Sequence, residues 1–178
     1  MAKVPDSVLV VRAANGDIDA YEHLVRRYQL PIYRHCLNML GNEGDAAEAA
    51  QDVFFTVWRS LSRFRGDSAF STWLYRIATN RCLKALRRRQ QPTIPLVEQT
   101  TSLGLPEKEF EGKEADEPIA RAVASLTPQQ RAALLLREVE GLTYEQIAKV
   151  LGVSVAAVKS RLNRARMEIA LAMEVRDG

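Results

Sequence analysis

Apolar residues recur along this chain at three- and four-residue spacing, the period of one face of a helix, while the two-residue alternation of a half-buried strand is nearly absent. Ile18, Tyr21, Leu24, Val25 and Tyr28 make one stripe, and Ala46, Ala49, Ala50, Val53, Val57 and Leu61 make another. A third, Ile119, Ala122, Val123 and Leu126, lies far downstream. Between the blocks the period stops, in a stretch from Gln90 to Pro118 with four prolines, two glycines and many acids. The pattern predicts an all-α protein: two small helical domains, residues 1–90 and 118–178, joined by a flexible linker over 91–117.

Local signals divide the blocks further. A short first helix is expected near Ser7 to Ala14, and Pro31 suggests a fresh helical start carrying Ile32, Cys36 and Leu40. Asp45, after the turn at Gly41, is the expected cap of the next helix. Asp67 or Ser68 is expected to cap a helix carrying Phe70, Trp73, Leu74 and Ile77, with Trp58 and Trp73 in the core. Downstream, Thr127-Pro128 with Gln130 and Thr143 with Gln146 are capping boxes, Gly141 and Gly152 are stops, and Ser154 caps a last helix to about Met173.

With 178 residues, 47% hydrophobic and 26% charged, the chain can bury cores. No apolar run approaches the roughly 18 residues of a membrane span, and Met1 to Ser7 lacks a signal-peptide layout. A cytoplasmic protein with no membrane insertion is expected. Cys36 and Cys82 are too few for a disulfide framework and are expected to be buried thiols. His23 and His35 have no zinc-ligand spacing. No nucleophile–base pair or carboxylate cluster is evident, so neither a cofactor nor catalysis is expected.

The net charge of +3 says little, but its distribution says more. Arg76, Arg81, Lys84, Arg87, Arg88 and Arg89 form a basic run without an acid, and Lys149, Lys159, Arg161, Arg164 and Arg166 form another. Acids dominate Glu98 to Glu117 between them. The stretch "TYEQIAKVLGVSVAAVKSRLNRAR" has the layout of a helix-turn-helix. Ile147, Ala148 and Leu151 point inward, Gly152 turns the chain, and Ala156, Val158 and Leu162 are expected to seat the second helix. Lys159, Ser160, Asn163 and Arg164 then face outward with Arg161 nearby, as a DNA-reading helix requires.

The first block carries a different signal. Arg76, Asn80, Lys84 and Arg87 recur on one helical face that can follow phosphates, and Asn80 can pair with a base edge. The preceding loop, Phe64, Arg65, Gly66, Asp67, Ser68, Ala69 and Phe70, offers backbone amides and apolar side chains that can enclose an unstacked base. One helix earlier, Asp45, Glu48, Gln51 and Asp52 form an acidic, amide-bearing patch suited to a protein partner.

"DAAEAAQDVFFTVWRSLSRFRGDSAFSTWLYRIATNRCLKALRRR" resembles the polymerase-binding and promoter-melting region of bacterial sigma factors, and "LTPQQRAALLLREVEGLTYEQIAKVLGVSVAAVKSRLNRAR" resembles the promoter-binding region of the same sigma-70 family. Length and layout are similar to the extracytoplasmic-function (ECF) group. The resemblance implies a specificity subunit of RNA polymerase that directs promoter-specific initiation. It implies that Asp45, Glu48, Gln51 and Asp52 dock on the beta-prime clamp helices of core polymerase, with the beta flap as a further contact. Here the usual "DAEDLVQE" reads "DAAEAAQD", with departures at Ala47 and Asp52. Phe64 to Phe70 would capture a flipped minus-ten base, Arg76, Asn80 and Lys84 would line the strand, and Lys159, Ser160, Arg161, Asn163 and Arg164 would face the minus-thirty-five element. An anti-sigma factor is a further implied partner. The connector reaches on the order of 80 Å at roughly 3.3 Å per residue, enough for the about 70 Å of two DNA turns. Its acidic run, Glu107 to Glu117, is either a nucleic-acid mimic or a solvated spacer. A free-standing dimeric helix-turn-helix regulator is the alternative; it leaves the loop and the acidic patch unexplained.

Overall fold

A computed structural model describes residues 4–90 and 117–177. The linker, and with it the acidic run to Asp116, lies outside the described residues. Those residues form eight α-helices and one 3-10 turn: α1 Asp6–Ala14, α2 Ile18–Leu40, α3 Glu43–Ser60, the turn Leu61–Arg63, α4 Phe70–Gln90, α5 Glu117–Ser125, α6 Pro128–Glu138, α7 Tyr144–Leu151 and α8 Val155–Asp177.

In the first half, α2, α3 and α4 pack on one another and α1 lies across α2. Ala46, Ala49 and Ala50 leave α3 nearly bare on its inner face, so its backbone approaches α2 closely. Leu24, Ile32 and Met39 of α2 meet Val53 and Val57 of α3 and Leu74 of α4 in one apolar cluster. Asp6 of α1 is held by both Arg27 and Tyr28 of α2. Cys36 and Cys82 are free and buried. Hydrogen bonding to Cys36, with burial, pushes the Cys82 thiol far above its ordinary range.

Three expected boundaries are corrected. Helix α2 runs unbroken through Pro31. The missing N–H and ring clash cost about 3 kcal/mol. Leu24, Ile32, Cys36 and Met39 lie on both sides of the proline on one buried face. Each such side chain contributes roughly 1.5–3 kcal/mol when buried, so the stripe outweighs the break. The cap of α3 is Asn42, whose side chain accepts the Asp45 amide; Asp45 lies within the first turn. At the start of α4, the Trp73 amide bonds the Ala69 carbonyl, and the Ser68 hydroxyl turns onto that same oxygen. Ala69 therefore holds the cap position expected of Asp67 or Ser68.

The second half follows the local signals closely. Thr127–Gln130 and Thr143–Gln146 are complete capping boxes. Gly152 takes φ +64 at the end of α7, a left-handed conformation that glycine adopts without strain. The Ser154 hydroxyl accepts the Ala157 amide at 3.1 Å. Val158, Leu162 and Ala165 are the buried face of α8, while Ala156 and Ile119, both expected inside, are exposed.

The halves also pack together, α7 against α4 and α6 against α2. Glu140, in the turn after α6, accepts a hydrogen bond from Tyr75 of α4. Arg131 of α6 donates to the Met39 carbonyl at 2.8 Å.

Candidate nucleic-acid interface

The loop ahead of α4 is an exposed tip on an aromatic footing. Phe70 is 5% exposed and packs against Tyr28 and Trp73. Phe64 is half-buried, its ring 4.9 Å from Trp73 and 6.1 Å from Phe70. Both ends of the predicted loop site are thus anchors, and what faces outward is Arg65, Gly66, Asp67 and Ala69, with Ser68 half-buried. Gly66 sits at φ +74 with no atom within 4 Å of the place a Cβ would take. Its role is the turn itself; a side chain there would strain the backbone at an open position.

Beside the tip is a cavity of about 230 Å3, lined by Asp67, Ser68, Thr72, Trp73, Arg76 and, from the second half, Lys149. Arg76, Asn80 and Lys84 leave it along one exposed face of α4, four residues apart, and Arg87 is exposed further on. Hence the structure brings the loop tip and this face together on one surface.

The acidic patch has partners that its sequence did not disclose. Arg81, one residue beyond Asn80, turns to α3 and bonds Asp52 at 2.8 Å, with Glu48 at 3.4 Å. Arg89 reaches back to Asp45 and to the Leu40 carbonyl. Gln51 is exposed beside them. The available signal was that Arg81 does not share the four-residue register of Arg76, Asn80 and Lys84. Trp58 also departs from expectation: its ring lies 4.8 Å from Tyr21 at a 51° tilt, yet it is 39% exposed, and nearby Phe55 is 61% exposed.

On α8, Lys159, Ser160, Asn163 and Arg164 are exposed and Arg161 is half-buried, opposite the Val158–Leu162–Ala165 face. Lys159 lies 6.0 Å over the Tyr144 ring, and Arg166 pairs with Glu138. The Arg166 hydrogen bond to Glu138 holds its guanidinium above its ordinary pKa. Among the described residues no cluster of three or more His, Cys, Asp or Glu is placed to hold a metal ion. No helix there is long and apolar enough to cross a membrane.

Fold and surface together define a two-part helical protein with a helix-turn-helix and a second, loop-fed basic face. The family description "Sigma-70 region 2" matches residues 24–91, and "Sigma-70, region 4" matches residues 116–169. The chain is 35% identical to the ECF RNA polymerase sigma-E factor of Escherichia coli K12, covering 94% of this chain and 93% of that protein. It is also 35% identical to the RNA polymerase sigma-H factor of Pseudomonas aeruginosa, over 95% of this chain and 94% of that one. The fold matches CnrH in its complex with the cytosolic domain of CnrY, with TM-score 0.72, 24% identity and coverage of 96% and 97%. It also matches the sigma factor RpoE of Bartonella quintana bound to the anti-sigma factor NepR, with TM-score 0.69, 21% identity and coverage of 87% and 97%. The chain belongs to the sigma-70 family, in its ECF group, and its function is that of a promoter-directing sigma factor.

Proposed function

We propose that the first domain, residues 1–90, docks on core RNA polymerase and melts the minus-ten element, and that the second, 118–178, reads the minus-thirty-five element. The loop tip Arg65–Ala69 takes a flipped non-template base into the cavity beside Thr72 and Trp73, on the footing of Phe64 and Phe70. Arg76 and Lys84 hold phosphates and Asn80 contacts a base edge. On α8, Lys159 reads a base and Arg161 holds phosphate, flanked by Ser160, Asn163 and Arg164. The chain acts in the cytoplasm, at the nucleoid when bound to polymerase, has no catalysis of its own, and is held inactive by an anti-sigma factor. The observation that carries this reading is the continuity of the cavity with the Arg76–Asn80–Lys84 face.

The direct experiment is run-off transcription and permanganate footprinting with core polymerase. Asn80→Ala removes an exposed amide and no buried carbon, so stability stays within about 0.5 kcal/mol. Open-complex formation is expected to fall while polymerase binding holds. Normal melting across several promoters would remove Asn80 from base reading.

Asp45, Glu48, Gln51 and Asp52 are the proposed contact with the beta-prime clamp helices. Asp52→Arg sets two guanidiniums together at Arg81 and forfeits the partly buried Asp52–Arg81 pair. Retention on immobilised core polymerase is expected to drop. The double variant Asp52→Arg, Arg81→Asp restores the pair and the stability but leaves the patch reversed, so retention stays low. Full retention by either variant argues against docking through Asp52.

A further inference from the structure

Glu140 occupies a site that promoter reading does not use. Its side chain is 10% exposed although it lies in a surface turn. Oε2 accepts the Tyr75 hydroxyl, and Oε1 lies 3.7 Å from Nδ1 of His35. The His35 ring meets Tyr75 edge-on at 5.4 Å, and its Nε2 lies 3.0 Å from the Thr79 hydroxyl. His35 and Thr79 are 0% exposed. Nδ1 of His35 is buried with no hydrogen-bond partner among the described residues.

A buried polar atom without a partner costs free energy, as does a buried carboxylate. Each explains the other: the unpaired imidazole nitrogen and the phenol, both from the first domain, face one carboxylate from the second. A hydrogen bond confined to the first domain's own core would need no residue from beyond the linker. Burial first, and then the bond to Glu140, hold the Tyr75 phenol far above its ordinary pKa.

The seat has a consequence for the strand-reading face. With Glu140 in place, α7 lies against α4, and Lys149 of α7 walls the cavity lined by Asp67, Ser68, Thr72, Trp73 and Arg76. Arg131 adds a second tie, bonding the Met39 carbonyl while its other donors hold the Val123 and Ala124 carbonyls of α5.

We propose that Glu140, seated against His35 and Tyr75, is the catch of a self-inhibited closed form of the free chain. It holds α7 against α4 with Lys149 as a wall of the base-accepting cavity, and it must leave the seat before that side of the cavity opens to a strand. This rests on the base-capture reading above. A chain that is closed for about 90–99% of the time binds strand roughly 10- to 100-fold more weakly than the open form does.

The test uses the full chain without polymerase. Dyes on Ser62→Cys and Ala170→Cys, both exposed, report the distance between domains, since native Cys36 and Cys82 are buried. Glu140→Ala empties the seat; Tyr75→Phe keeps the ring and removes only its hydroxyl. Both variants are expected to shift the energy-transfer distribution towards separated domains. Both are also expected to raise affinity for a random-sequence single-stranded oligonucleotide pool, by roughly 10-fold or more for Glu140→Ala. Unchanged energy transfer in both variants overturns the catch. Separation without a gain in strand affinity overturns the inhibition. If Glu140→Ala fails to fold, Tyr75→Phe decides alone. Energy transfer does not depend on base capture, and run-off transcription of Asn80→Ala tests base capture separately, so the two readings fail distinguishably.

Discussion

Titrated alone onto duplex promoter DNA at physiological salt, the chain is expected to bind weakly and with little sequence preference; core polymerase is expected to tighten binding by roughly 10²–10⁴. In the proposed reading each domain offers one small exposed face to DNA: Lys159, Ser160, Asn163 and Arg164 on α8, and the loop tip with Arg76, Asn80 and Lys84 on α4. Taken singly, each makes few phosphate contacts, and such contacts weaken steeply with salt. The α4 face needs a base already out of the stack, which intact duplex supplies only at a cost of a few kcal/mol. Lys149 of the second domain also walls the cavity that would receive it. Polymerase removes these obstacles together by fixing the distance between domains and stabilising the melted strand. Tethered sites at matched spacing then act with high effective concentration. Fluorescence anisotropy with and without core enzyme makes the measurement. Tight, sequence-specific binding by the lone chain, unaffected by polymerase, is the behaviour of a free-standing dimeric regulator and would reverse the assignment.

Phe70→Ala is expected to destabilise the first domain by about 3–5 kcal/mol, the range for truncating a buried phenylalanine. Phe70 is 5% exposed and touches Tyr28, Phe64 and Trp73, so its loss leaves a void among three rings that cannot all collapse into it. Its partners connect α2, the loop and α4, and the loop tip loses its footing with them. Arg65→Ala, at the exposed tip, should change stability by no more than about 0.5 kcal/mol, yet impair open-complex formation if the tip captures a base. Urea unfolding of both variants, set beside their permanganate footprints, separates footing from contact. A Phe70→Ala protein as stable as the parent would mean that this ring is not an anchor, and the loop would need a different account.

That pair of variants marks where one-dimensional reading stops. The stretch Phe64 to Phe70 reads as one aromatic loop, because side chains close in sequence give no sign of which ones another helix will cover. Tyr28 covers Phe70 from α2, and nothing in the loop announces it. The same holds for the acidic patch. The spacing of Asp45, Glu48 and Asp52 on α3 is legible, whereas their pairing with Arg89 and Arg81 depends on how α3 and α4 cross. At Pro31 the local rule for a break was sound but was outweighed by the continuous stripe on either side, whose burial only the packed bundle provides.

Features that depend on neighbours within a few residues are legible in one dimension. The helical period, the capping boxes at Thr127 and Thr143, the left-handed turn at Gly152 and the outward basic face of α8 all follow from side chains acting on their own turn of backbone. These gave the all-α class, the helix-turn-helix and the family. Which helix faces meet is settled by packing. It made anchors of Phe64 and Phe70, turned Arg81 onto Asp52, and seated Glu140 against Tyr75, a residue 65 positions away. The physical reason is that a hydrogen bond or ring contact acts over a few ångströms of space, and separation along the chain does not encode which distant groups folding brings within that reach.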